Sequence, residues 1–126
     1  MRERGLILAL VDDLLMRSRV EASCHAAGWT VQFPDSAEAV WTQLGQERPV
    51  LVLVGVASTR LPWEALVAAL KANVEFAGIP VVAFGPHMDL VARQRARAAG
   101  CDRVVANSLI AADLPGLLGQ LGITRP

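Results

Sequence analysis

At 126 residues the chain has room for one domain, whose core can bury roughly two thirds of the surface that the unfolded chain exposes. Lys plus Arg and Asp plus Glu both number 12, so no excess charge steers it onto nucleic acid or an anionic membrane; the expected partner is a protein, a second copy or a small ligand. The apolar share of 53% is high for so small a domain, which fits either a sheet buried on both faces or apolar surface covered by another chain.

The first apolar run, residues 6–11, is too short to span a membrane and is stopped by Asp12 and Asp13. No small-residue cleavage site follows it, so it does not read as a signal peptide, and the protein is expected in the cytoplasm. It reads instead as a strand buried on both faces. Residues 14–27 form a helical stretch with Val20, Cys24 and Ala27 on one face, closed by Gly28, which can take the positive φ of a C′ position. Cys24 and Cys101 are far apart, with no ligands at metal spacing, and read as reduced core thiols. In residues 29–33, Trp29, Val31 and Phe33 alternate with polar Thr30 and Gln32, the pattern of a strand nearer a sheet edge. Ser36 can N-cap a helix reaching Gln46, with Ala37, Val40 and Leu44 inward.

Residues 50–56 are a second continuous apolar run. Pro62 stands near the start of the next helix, where its missing N–H costs nothing, and Trp63, Leu66, Val67, Leu70 and Val74 form the inward stripe. Leu61, Ala65, Ala68, Ala69 and Ala72 make a second apolar strip, which suggests contact with another chain, while Trp63 and Trp41 read as partly buried. Residues 79–84 are a third buried run. Asp89 opens a helix closed by Gly100, with Ala92, Ala96 and Ala99 as a small-residue face against the sheet. Its Arg93, Arg95 and Arg97 read as a solvated face, with Asp89 placed to pair with Arg93 at i,i+4. Residues 103–106 supply a fifth strand. The last helix is expected from Asp113, because Pro115 would break a helix begun at Leu109.

Strand and helix thus alternate five times. Right-handed crossovers then give an α/β fold with a doubly wound, five-stranded parallel sheet in the order 2-1-3-4-5, one domain over residues 1–126 with a core of about residues 5–121.

Four stretches together resemble the receiver domain of two-component response regulators: Leu10-Val11-Asp12-Asp13, Arg48-Pro49 leading into Leu51-Val52-Leu53-Val54, Ile79-Pro80-Val81-Val82, and Ala99-Gly100-Cys101-Asp102. The resemblance implies a flavodoxin-like, CheY-like three-layer sandwich. In that family, adjacent acids after the first strand hold Mg²⁺ beside an aspartate that ends the third strand and accepts a phosphoryl group; the metal neutralises phosphate charge while the carboxylate attacks. Asp12 and Asp13 match the acidic pair, but Gly55 falls at the acceptor position and has no side chain with which to attack. Gly85 stands where the family has a hydroxyl, Asn107 where it has a lysine, Ser108 where a proline follows that lysine, and Val104 where an aromatic swings inward.

The resemblance therefore implies a stand-alone pseudo-receiver, a signalling or scaffold protein acting by phosphorylation-independent protein–protein interaction with a partner or a second copy. The alternative is a sensor that takes a small anion or nucleotide in the residual pocket of Asp12, Asp13, Gly55, Gly85 and Asn107. Asp12 and Asp13 offer at most a weak Mg²⁺ site and read as solvated carboxylates capping the first helix. Arg93, Arg97, Val104 and Leu109 mark the candidate partner face, since receivers commonly dock through the fourth helix, fifth strand and fifth helix. His25 and His87 have no nucleophile spaced to work with either, so no catalytic residue, cofactor or resident metal is expected.

Overall fold

Each continuous apolar run becomes a parallel strand. In the computed structural model, which describes residues 5–86 and 89–123, the order is β1 (Leu6–Leu10), α1 (Leu14–Ala26), β2 (Thr30–Gln32), α2 (Ala37–Gln46), β3 (Leu51–Gly55), α3 (Trp63–Ala72), β4 (Val81–Gly85), α4 (Leu90–Ala99), β5 (Arg103–Ala106), α5 (Asn107–Ala112) and α6 (Leu114–Gln120). The strands form one parallel sheet in the order β2-β1-β3-β4-β5, as expected. Residues of β1, β3 and β4 are buried throughout, whereas β2 exposes Thr30 and Gln32 on either side of half-buried Val31.

Alternate side chains of each strand point to opposite faces, and this alternation builds two cores. Leu8, Leu10, Val52, Val54, Val81 and Ala83 meet α2, α3 and α4 on one face. Ile7, Ala9, Leu51, Leu53, Val82 and Phe84 meet α1, α5 and α6 on the other. Burying each large aliphatic or phenyl side chain in these layers stabilises the fold by about 1.5–3 kcal/mol.

The helices begin where short polar side chains can accept an orphan N–H. Asp13 caps α1 through Met16, Ser36 caps α2 through Ala39, Asp89 caps α4 through Ala92, and Asp113 caps α6 through Gly116. Each such cap contributes about 0.5–2 kcal/mol. Gly28 and Gly100 take φ of 85° and 112°, the left-handed turns that stop α1 and α4. Among the described residues no helix is long and apolar enough to cross a membrane.

Four details differ from the sequence reading. Helix α3 stops at Ala72, because Asn73 turns to an extended ψ of 119°; Val74 is therefore 98% exposed instead of continuing the inward stripe. Leu61 and Trp63 are both buried, so the outer strip of α3 is reduced to its alanines, and only Trp41 is half-buried, against Phe76. Arg95 does not merely face solvent: it forks onto Glu64 of α3 at 2.7 and 3.2 Å and lies 5.5 Å from the centre of the Trp63 ring. Helix α5 leaves β5 at once and precedes the expected one. Ile110 is its buried anchor, and it ends at Asp113 because Pro115 cannot donate to, and would clash with, the Ala111 carbonyl.

Candidate functional site

The strand register brings the chemistry-bearing residues to one edge of the sheet. Leu10 lies level with Val54, Gly55 with Phe84 and Gly85 with Ala106, so the segments that follow these strands all open from the carboxyl edge. This is where open α/β sheets form ligand crevices. The edge gathers all five residues of the expected pocket: Asp13, Gly55, Gly85 and Asn107 share a small void, and Asp12, Asp13 and Asn107 share the cleft outside it.

The two aspartates have separate tasks. Asp13 caps α1, accepting from Met16 N at 2.8 Å, as the sequence suggested. Asp12 does not cap that helix. Its Oδ2 accepts two backbone N–H groups of the β3–α3 loop, from Thr59 at 3.0 Å and Arg60 at 2.7 Å. Charge-assisted bonds of this kind are about twice as strong as neutral ones. Ser58 completes the clasp: its Oγ donates to Leu10 O and accepts from Asp12 N, both at 3.3 Å, while its own N–H turns back to Gly55 O at 3.0 Å. Loop and β1 are thus stitched together across the end of β3.

That stitching sets Ser58 beside the acceptor position. A Cβ at Gly55 would sit 3.4 Å from Ser58 Oγ, 3.5 Å from Val11 Cγ2 and 3.6 Å from Phe84 Cζ. The void left beside it measures about 30 Å³, the room of a single water. Asn107 Oδ1 is buried here with no hydrogen-bond partner among the described residues. Outside lies an open cleft of about 560 Å³, bordered by Asp12, Asp13, Leu15, Arg19, Arg60 and Asn107.

The donor set does not fit a divalent cation. Asp12 and Asp13 supply only two carboxylates, glycine stands at the third position, and among the described residues no group of three His, Cys, Asp or Glu gathers that could hold a metal ion. His25 is exposed on α1, and His87 lies outside the described residues. Burial, with the Glu21 carboxylate adding to it, pushes the Cys24 thiol up to about 12. Burial likewise pushes Cys101 up to about 11, aided by Asp102 and opposed by Lys71. Both thiols stay protonated and inert at neutral pH.

On the candidate partner face, Arg97 is exposed and Arg93 half-buried, while Val104 and Leu109 are partly buried and pack on the two opposite cores. Sequence reasoning passed over Ser58, Arg19 and Arg60. Ser58 had a signal, a hydroxyl three residues after the glycine that ends β3, which is the span of a tight turn. The arginines had none, because α1 and the β3–α3 loop are distant in sequence.

No family model and no curated protein sequence matches this chain. Solved structures do match in shape. A response regulator protein from Burkholderia multivorans has a TM-score of 0.71 at 23% identity, covering 98% of this chain and 99% of that one. A two-component response regulator from Legionella pneumophila gives 0.78 at 16% identity, with 94% and 98% covered. The phosphorylated cyanobacterial phytochrome response regulator RcpA gives 0.78 at 14% identity, with 98% and 99% covered. Strand order, helix placement and these near full-length superpositions agree: the chain has the CheY-like fold of response-regulator receiver domains.

Proposed function

We propose that this chain is a pseudo-receiver, a cytoplasmic signalling or scaffold module that works by binding a protein partner or a second copy of itself, without phosphotransfer. The observation that carries the reading is the end of β3. Gly55 offers no nucleophile, and the Asp12 carboxylate is engaged by two backbone N–H groups. A receiver switch needs an acceptor carboxylate, a metal and a residue that answers the phosphate. Here the third and fourth strands end in glycine and Asn107 follows the fifth. Unpaired, buried Cys24 and Cys101 suit a reducing compartment.

The test is direct. Incubation with acetyl phosphate and Mg²⁺ should leave the intact mass unchanged; a covalent phosphoryl adduct would overturn the proposal. The alternative, a sensor for a small anion or nucleotide, is favoured by one observation, the cleft of about 560 Å³ beside Arg19 and Arg60, since the void at Gly55 is too small for more than water. Saturable thermal stabilisation by nucleotides or anions would support that reading, because a ligand that binds only the folded state stabilises it by mass action.

A further inference from the structure

The cleft outside the void carries charges of both signs that do not close on each other. Its border holds the carboxylates of Asp12 and Asp13 and the guanidiniums of Arg19 and Arg60, so its formal sum is zero. Among the described residues neither arginine forms an ion pair with either aspartate or with any other carboxylate. The aspartates use only part of their accepting capacity: Asp12 takes the Thr59 and Arg60 N–H groups on Oδ2 alone, and Asp13 takes the Met16 N–H on Oδ2 alone. Each keeps an Oδ1 without a partner among the described residues. Asn107, which borders both the cleft and the void, adds a buried Oδ1 that also has none.

These groups ask for different parts of one molecule. The unpaired acceptor oxygens of Asp12, Asp13 and Asn107 call for an N–H-rich cation, and a primary ammonium has three such donors. The unpaired guanidiniums call for a carboxylate, which such a group grips with two parallel N–H bonds. Leu15, 60% exposed, joins Met16, Ala57 and Pro86 on the same border and offers an aliphatic contact. A simple anion would reach the arginines against the repulsion of two carboxylates, and a simple cation would meet the reverse. A molecule with one charge of each sign escapes both penalties. The volume of about 560 Å³ is that of a small-molecule site.

We infer that this cleft binds an aliphatic amino acid, its ammonium on the unpaired oxygens of Asp12, Asp13 and Asn107, its carboxylate on Arg19 and Arg60, and its hydrocarbon part on Leu15. The inference rests on the small-ligand alternative above and replaces the anion or nucleotide of that reading by a zwitterion. Arg19 stands on α1 and Arg60 on the β3–α3 loop, so the bound carboxylate ties helix and loop together.

The probes are L-leucine and δ-aminovalerate, whose charges are closely and widely spaced, and the fragments of each that lack the carboxylate (isoamylamine, butylamine) or the ammonium (isocaproate, valerate). Each is titrated into the full chain and followed by amide chemical shifts and thermal unfolding. Saturable binding of at least one amino acid, with shifts centred on Asp13, Leu15, Arg19 and Arg60 and affinity at least tenfold above that of its own fragments, is the expected result. Amide exchange at Thr59 and Arg60 should slow when it binds. Arg19→Gln with Arg60→Gln should erase the advantage over the amine fragment, and Asp13→Asn, which keeps an oxygen to cap α1, should reduce the advantage over the acid fragment. Leu15→Ser should weaken binding several-fold with all four charges intact. No saturable binding of either amino acid at millimolar concentration, a fragment that binds as tightly as its parent, or shifts centred away from the cleft would each overturn the inference. Saturable binding of inorganic phosphate or a nucleotide, with neither amino acid bound, would overturn it while leaving the small-ligand reading in place. The acetyl phosphate result is independent of all these outcomes.

Discussion

Asp12 and Arg60 meet through the backbone half of the arginine: the carboxylate takes the N–H at 2.7 Å, and the guanidinium is left without an ion pair among the described residues. One contact therefore both fixes the β3–α3 loop and presents a positive group at the cleft.

Removing that anchor should release the loop. Asp12→Ala is expected to cost about 1–3 kcal/mol, the range for losing hydrogen bonds to a charged acceptor, and Asp12→Asn less, since it keeps a carbonyl oxygen. Urea unfolding gives the magnitude. Amide exchange at Thr59 and Arg60 gives the cause; unchanged exchange there would show that something other than Asp12 holds the loop.

Gly55→Ala should be tolerated and mildly stabilising. The added methyl would make ordinary contacts at 3.4–3.6 Å, and the position has no positive φ that would demand glycine. Restricting the unfolded chain at such a site is worth about 0.4–1 kcal/mol. A urea midpoint below that of the unaltered protein would mean that the crevice cannot yield even the room of a methyl.

At the opposite edge one ammonium ties three elements. Lys71 Nζ donates to Ala77 O at 3.1 Å, Ile79 O at 2.9 Å and Asp102 Oδ2 at 2.8 Å, and the same Oδ2 accepts from Val81 N at 2.8 Å. With Asp102 44% exposed, the ion pair itself is worth about 0–1 kcal/mol. The carbonyl bonds carry more, so Lys71→Met should cost about 1–3 kcal/mol and exceed Asp102→Asn, which keeps an acceptor for Val81. Gly100→Ala should cost about 1–2 kcal/mol, since its left-handed backbone disfavours a side chain and the new Cβ would lie 2.9 Å from Lys71 Cγ. Equal losses for Lys71→Met and Asp102→Asn would return the credit to the ion pair.

Stability should fall at alkaline pH through the thiols. Their folded values, about 12 for Cys24 and about 11 for Cys101, lie above the ordinary value of 9.0. A raised folded pKa leaves stability intact below the unfolded pKa; as pH climbs past 9 the unfolded thiol ionises first, and stability is lost progressively up to the folded values. Between pH 8 and 10.5 the unfolding midpoint of Cys24→Ala should therefore drop less steeply than that of the unaltered chain. Parallel curves would contradict the assignment.

How much of this was legible in the sequence depended on range. The strands at Leu6, Leu51 and Val81 were readable because burial on both faces leaves no polar residue in the run. Ser36, Asp89 and Gly100 were readable because caps act within four residues. Asp12 and Asp13 could not be told apart, since one bonds three residues away and the other 47 and 48 residues away. Leu61 looked like surface beside the α3 alanines, yet the loop before the helix turns it into the core. Helix α5 escaped because six residues carry less than two turns of periodicity, and Pro115 drew attention to the later start.

The edge strand decides how the molecule comes apart. Among the described residues only Thr30, Val31 and Gln32 pair β2 with its neighbour, and neither the Asp12 clasp nor the Lys71 tie reaches it. Warming should peel the sheet from that flank, loosening β2 ahead of the strands at the clasped crevice.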